Sequence, residues 1–297
     1  MRFSKGHGTG NDFVILPDPE GRLELTPQLV AALCDRRRGI GADGVLRVVR
    51  AERHPDAAGL AARAGGLTAQ SHRGSAPAVA EWFMDYWNAD GSLAEMCGNG
   101  VRVFTRYLVA MGLAAPKAEG LLIATRAGVV RARLGEKEIS VDMGLPRIGE
   151  RSAATVGGLS LPGVAVDCGN PHLVCAVPAA VELSELDLSR QPGYDAALFP
   201  AGVNIEFVTP AGPVAGTDVQ VRLRVYERGS AETLSCGSGA CAVAAVALRD
   251  AGRDTGVVSV DVPGGRLTVT FDGASCWLAG PAVLVAQGEV DSSALQP

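Results

Sequence analysis

The chain has 297 residues, 47% of them hydrophobic and 20% charged, with 32 acidic against 27 basic side chains and a net charge of −5. That composition is globular rather than disordered, and it lacks the basic excess of a nucleic-acid footprint. The length fits one large domain or two ordinary ones.

The opening MRFSKGHGTGNDFVILPD has no apolar core of signal-peptide length, and no later run approaches the roughly 18 apolar residues of a membrane helix. A soluble, cytoplasmic chain that engages neither membrane nor nucleic acid is expected. Its seven cysteines are odd in number and widely spaced. They point to reduced thiols rather than a disulfide framework.

The runs FVIL (13–16), VLRVV (45–49) and EWFMDYW (81–87) predict strands. Residues 26–34, TPQLVAALC, predict a helix with Thr26 as N-cap and Pro27 at its first position. Arg36, Arg37 and Arg38 follow, and three charges at a helix end read as a solvated face. Residues 39–44, GIGADG, match GxGxxG formally but follow DRRR rather than a strand, so a turn is expected. From Ala51 to Ala80 the chain turns Ala/Gly/Arg-rich and loses periodicity. This predicts a surface insertion without chemistry, and His54 and His72 inside it read as non-catalytic.

Two later stretches share a layout. MCGNGVRVFTRYLVAMG (96–112) and SCGSGACAVAAVAL (235–248) each place Cys-Gly-x-Gly before an apolar helix that ends near a glycine, Gly112 or Gly252. LLIAT and VVRARL follow the first helix as strands, and VVSVDV and LTVTF follow the second. The two cysteines lie nearly half the chain apart, which predicts two similar halves, each a strand-rich layer round one helix.

A thiol where a helix begins meets backbone N–H groups without intrahelical partners and a partial positive charge. Glycines beside it let the backbone approach a ligand. Cys97-Gly98-Asn99-Gly100 and Cys236-Gly237-Ser238-Gly239 both supply this arrangement. Two such turns would cradle a carboxylate between two sulfurs. One thiolate could then take an α-proton while the other thiol returns a proton to the opposite face, which is racemisation without a cofactor.

These residues resemble the diaminopimelate epimerase family. NADGSLAEMCGNGVR, from Asn88 to Arg102, is similar to the signature around that family's first catalytic cysteine. GHGTGNDF with Asn11, GNPH at 169–172, GVNIEF with Asn204, and YERGSAETLSCGSG from Tyr226 to Gly239 match in order along nearly the whole chain. The 51–80 segment lies outside the common pattern and resembles an extended loop of actinobacterial members.

The resemblance implies conversion of LL-diaminopimelate to the meso form, on the route to lysine and peptidoglycan, with no metal and no cofactor. It implies an α+β fold of two pseudosymmetric domains, each a barrel-like sheet wrapped around a central helix. Residues 1–141 plus 282–297 would carry Cys97 and residues 142–281 Cys236, with the active site in the cleft and a homodimer as the assembly. Cys97 and Cys236 would be the acid/base pair, with Gly98, Asn99, Gly237 and Ser238 binding the carboxylate at the reacting carbon. Asn11, Asn88, Asn170, Asn204, Glu227 and Arg228 would hold the distal amino-acid head, a chemically suitable set for a second zwitterion. His172 and Glu227 would tune the thiols, which ordinarily stay mostly neutral at pH 7.

Many members carry Gln where this chain has Gly44 in Gly41-Ala42-Asp43-Gly44, so a side-chain contact there is missing. Ser238 stands where Thr is common, a conservative change because a backbone N–H does the binding. Two other readings stay open at this level. A proline or hydroxyproline racemase shares the two-cysteine logic but resembles Cys-Gly-His at its first cysteine. A metal-binding structural protein could use Cys168, His172 and Cys175, although no fourth ligand pairs with them. Cys34, Cys168, Cys175, Cys241 and Cys276 otherwise read as core residues.

Overall fold

The computed structural model describes residues 1–61 and 79–295. The chain divides into two compact units, residues 1–141 with 281–297 and residues 142–280. The first unit opens with β1 (Arg2–Gly8), β2 (Asn11–Pro17), α1 (Pro27–Cys34) and β3 (Gly44–Arg50). It continues through α2 (Pro55–Ala61), β4 (Trp82–Asn88), α3 (Gly98–Ala110), β5 (Leu121–Thr125), β6 (Gly128–Leu134) and β7 (Glu138–Asp142). The second unit holds β8 (Arg147–Val156), β9 (Leu159–Asp167), β10 (Pro171–Ala176), β11 (Asn204–Pro210), β12 (Val219–Glu227) and a short β13 (Ala231–Thr233). Then come α4 (Gly237–Asp250), β14 (Gly256–Val262), β15 (Gly265–Phe271) and β16 (Cys276–Pro281), and β17 (Val283–Glu289) belongs again to the first unit.

In the first unit the ladder runs β17–β1–β2–β3–β4–β5–β6–β7. Successive pairs are antiparallel, antiparallel, parallel, antiparallel, parallel, antiparallel and antiparallel. In the second, β8–β9–β10–β11–β12–β14–β15–β16 repeat the same series of directions. Helix α3 packs on β1 to β6 and β17, and α4 packs on β8 to β12, β14 and β15. The α+β reading therefore holds, with a strand-rich sheet around one helix in each unit.

Local sequence explains the elements. β2 carries four consecutive apolar residues, Phe13, Val14, Ile15 and Leu16, all with no solvent exposure. A strand covered on both faces reads as a continuous apolar run, as β2 does beside its parallel neighbour β3. Val14 and Leu16 pack with Val30 and Leu33 of α1. That helix begins as the sequence predicts, with Thr26 Oγ1 accepting from Leu29 N at 3.2 Å. In α4, Ala240, Cys241, Ala242, Val243 and Ala244 are all buried among Val221, Leu223, Val258, Val260, Leu267 and Val269. A helix of small residues lets a sheet close tightly round it, and each large strand side chain buried there contributes about 1.5–3 kcal/mol.

Both central helices end alike. Gly112 and Gly252 take φ of 67° and 69°. Leu113 N donates to Leu108 O at 2.8 Å, and Arg253 N to Leu248 O at 2.9 Å, closing the last turn in each.

Two expectations need correction. The head of the 51–80 segment is not a bare insertion: a 3-10 turn at Ala51–Arg53 and α2 bury Ala51, Ala57 and Leu60 with Phe83 and Ala124. Its His54 is buried and stacks on Phe83 at 4.3 Å between ring centroids, a packing role. His72 lies outside the described residues. Arg36 is likewise more than a solvated charge, because its guanidinium bridges Asp12 and Asp43. Among the described residues, no helix is long and apolar enough to cross a membrane.

Candidate active site

Cys97 is the N-cap of α3 in extended conformation, with φ −143° and ψ 118°. Its Sγ accepts from Gly100 N at 3.4 Å and donates to Asn11 Oδ1 at 3.6 Å. Asn99 Nδ2 donates to the same Asn11 oxygen at 3.2 Å. The structure thus brings Asn11, Cys97, Gly98 and Asn99 into one cluster at the start of the helix.

Asn11 is fixed from behind by residues the sequence did not single out. Its Nδ2 donates to Asp43 Oδ2 at 2.8 Å, which also accepts from Asp12 N at 3.1 Å. Arg36 donates to Asp43 Oδ1 at 2.6 Å and to both oxygens of Asp12, and Lys5 pairs with Asp12 at 2.7 Å. Burial alone would raise the Asp12 carboxyl, but the Arg36 and Lys5 hydrogen bonds outweigh it and hold the group well below the usual carboxylate range. The turn that delivers Asn11 is held by buried Arg102, whose Nη2 donates to Thr9 Oγ1 at 2.9 Å. Asn88 is engaged elsewhere, donating to Ser92 Oγ at 3.0 Å.

Gly44 does more than lack a contact. A Cβ there would lie 2.5 Å from Trp87 O and 2.8 Å from the Tyr86 ring, so the close β3–β4 approach leaves no room for a side chain.

In the second unit Cys236 is the N-cap of α4, with φ −114° and ψ 118°, and its thiol is buried beside Ser238 Oγ at 3.6 Å. Burial pushes this thiol well above the ordinary cysteine range, and the charge of Glu227 pushes the same way. The Gly239 N–H and Ser238 hydroxyl pull weakly against them. Cys236 is consequently a protonated thiol near neutral pH.

A chain of hydrogen bonds leads away from Ser238. Asn170 Nδ2 donates to Ser238 Oγ at 3.4 Å, His172 Nε2 meets Asn170 Oδ1 at 3.0 Å, and His172 Nδ1 meets Glu206 Oε1 at 2.6 Å. Asn204 Oδ1 accepts from Arg228 N at 2.9 Å, and its Nδ2 donates to Pro171 O at 3.3 Å, so it ties three of the expected motifs together. Glu227 accepts from Thr233 Oγ1. Arg228 is exposed, donates to Ala201 O at 3.1 Å, and lines a hollow with Gln191, Tyr226 and Ser230.

Cys168 packs, half-buried, against the core of the second unit and also donates to Ser238 O at 3.5 Å. Cys175 is fully buried. Among the described residues no three His, Cys, Asp or Glu side chains converge as a metal site. All seven cysteines are free thiols.

Glu206 and Asp43 are the main residues that sequence reasoning missed. Glu206 stands inside the quoted GVNIEF run, yet strand alternation could not reveal that its carboxyl would meet His172 across a parallel pair of strands.

The architecture is shared with solved structures of low identity. A PhzF-family phenazine biosynthesis protein from Bacillus anthracis superposes with TM-score 0.67 at 18% identity, covering 98% of each chain. A hydroxyproline epimerase from Agrobacterium vitis gives 0.61 at 15%, covering 98% of this chain and 90% of its own. At such identity the fold alone is common to them. Closer relatives define the family. Residues 3–149 and 164–290 match the diaminopimelate epimerase family model. Diaminopimelate epimerase of Rhodococcus opacus is 49% identical over 99% of this chain and 98% of its own. That of Mycolicibacterium smegmatis is 49% identical over 98% and 97%. The chain belongs to the diaminopimelate epimerase family, a family of isomerases.

Proposed function

We propose that this chain interconverts LL- and meso-diaminopimelate, with Cys97 and Cys236 as the two acid/base groups. The observation that carries the reading is the placement of each thiol as the N-cap of the central helix in two units of identical strand order. Chemistry supplies the rest. Inversion at an α-carbon needs a base on one face and an acid on the other, so the reading requires one thiol at each face of a single substrate carbon. Buried Cys236, held protonated, suits proton delivery first, with Cys97 as the base in that direction and the roles reversed in the other.

The N–H groups of Gly98, Asn99, Gly237 and Ser238 open helices, where the dipole favours an anion. We assign them to the substrate carboxylate, whose charge grows as the α-proton leaves. Asn11, Asn88, Asn170, Asn204, Glu227 and Arg228 are assigned to the distal head, Arg228 to its carboxylate and Glu227 to its ammonium. His172 and Glu227 tune thiol acidity, and for Glu227 the support is its upward push on Cys236. The proposed setting is a cytoplasmic homodimer acting in lysine and peptidoglycan-precursor biosynthesis.

Incubation with LL-diaminopimelate in deuterated water should give the meso isomer carrying α-deuterium, while proline should not exchange. Cys97→Ala and Cys236→Ala should each abolish interconversion, by roughly 10³-fold or more since each removes one of the two proton-transfer groups. Substantial turnover in either variant would refute the two-thiol mechanism.

A further inference from the structure

Glu206 has no assigned part in this site, yet it is a fully buried carboxyl side chain against the ring of His172. Three observations bear on its state. The Oε1–Nδ1 separation is 2.6 Å, so one proton must lie between those two atoms. On the other side of the ring Nε2 faces the Asn170 oxygen at 3.0 Å, because Asn170 turns its amide nitrogen to Ser238 Oγ. Finally, Glu206 Oε2 is buried and meets no donor among the described residues.

With the Asn170 amide nitrogen on Ser238, those contacts set a proton count. Nε2 carries a hydrogen to meet the Asn170 oxygen, and a second hydrogen sits on the Nδ1–Oε1 line. The pair is therefore either an imidazolium with a carboxylate, or an imidazole accepting from a carboxylic acid. A carboxylate here would be wholly desolvated, with one oxygen unpaired and with Glu227 and the thiols of Cys236 and Cys168 around it. Burying a charge so poorly matched is strongly unfavourable. The partial positive charge at the start of α4 does not offset it. Burial also pushes the Glu206 carboxyl upward, and His172 opposes this only in part. The packing is tight as well: a Cβ at Gly239 would fall 2.6 Å from Glu206 Oε1, so the glycine after Ser238 is what admits the carboxyl to the first turn of α4.

We infer that Glu206 is a positioning residue of the active site, a carboxylic acid whose O–H donates to His172 Nδ1 and locks the ring as the Nε2–H tautomer facing Asn170. The inference rests on the reading above for what the site does, but not for the tautomer itself. Through Asn170 and Ser238 the lock sets the geometry of the turn that carries Cys236.

The test is nitrogen NMR of the full chain labelled at its four histidines, with His172→Gln identifying the signal. The wild type should show His172 as the Nε2–H tautomer. Glu206→Gln keeps a donor, the amide N–H, and should keep that tautomer and kcat within about threefold. Glu206→Leu, similar in size but without a donor, should release the tautomer and lower kcat roughly 10-fold or more with a smaller change in KM. The inference is overturned if the wild type shows imidazolium or the Nδ1–H tautomer, if Glu206→Gln falls as far as Glu206→Leu, or if Glu206→Leu leaves the tautomer intact. Should Glu206→Leu fail to fold, the wild-type and Glu206→Gln spectra decide alone. Absence of LL/meso exchange in the wild type would sink the functional reading and leave the tautomer result standing.

Discussion

Asp43 shows how a residue without a reactive role can govern one that has it. Its Oδ2 holds the Asn11 amide at 2.8 Å, and that fixes which Asn11 atom meets Cys97 and Asn99. An amide free to turn over would present a donor instead of an acceptor to the thiol. Replacing Asp43 by Ala should cost about 1–2 kcal/mol of transition-state stabilisation, roughly 10-fold in kcat/KM, with a small change in Tm. Steady-state kinetics beside a thermal melt separate the two, and an unaltered kcat/KM would remove Asp43 from the site. Nothing in the GADG run marks this role, because the partner lies 32 residues away at the start of β2.

At the scale of elements, two glycines that look alike in sequence have different physical reasons. Gly44 sits where β3 begins, and a Cβ would press on Trp87 O at 2.5 Å, so the ladder would have to shift. Gly112 ends α3 at φ +67° with nothing within 4 Å of the Cβ position, so Ala there meets only backbone strain. Gly44→Ala should destabilise by about 2–3 kcal/mol and Gly112→Ala by about 1 kcal/mol. Urea unfolding of the two variants tests the ranking, and equal losses would contradict the steric account. The helices themselves were legible in advance, since Thr26-Pro27, Cys-Gly-x-Gly and the closing glycines are local signals read within a few residues. The fold of residues 51–61 was not. An Ala-rich stretch has no period to show, and only the presence of Phe83 and Ala124 makes Ala57 and Leu60 core residues.

At the scale of the molecule, stability toward acid follows from a buried charge cluster in the first unit. Burial alone would raise the Asp85 carboxyl, but the hydrogen bond from His54 and the charge of Arg126 bring it down to about 2. A carboxyl depressed on folding contributes stability that is present above its unfolded pKa, near 3.9, and is lost as pH falls through the folded value. Unfolding free energy should thus fall by roughly 2 kcal/mol from this group between about pH 4 and pH 2. A melting temperature that stays flat over that window would contradict the assignment. His54, read from sequence as non-catalytic, has its role here, as a stacked and hydrogen-bonded neighbour of Asp85.

The sequence by itself determined the class of fold, the two cysteines at helix starts and the family, because each rests on short-range patterns: alternation, caps, and motifs a dozen residues long. It also determined that Asn11, Asn170, Asn204 and Glu227 deserved notice, through the motifs that contain them. Only the tertiary structure decided how they are held. Asp43 behind Asn11, the Glu206 carboxyl against His172, Cys168 on the Ser238 carbonyl and the closed space at Gly44 all depend on segments distant in sequence lying side by side. Strand pairing brings such groups within hydrogen-bond reach, and burial then decides their protonation. Neither effect leaves a local trace in the chain.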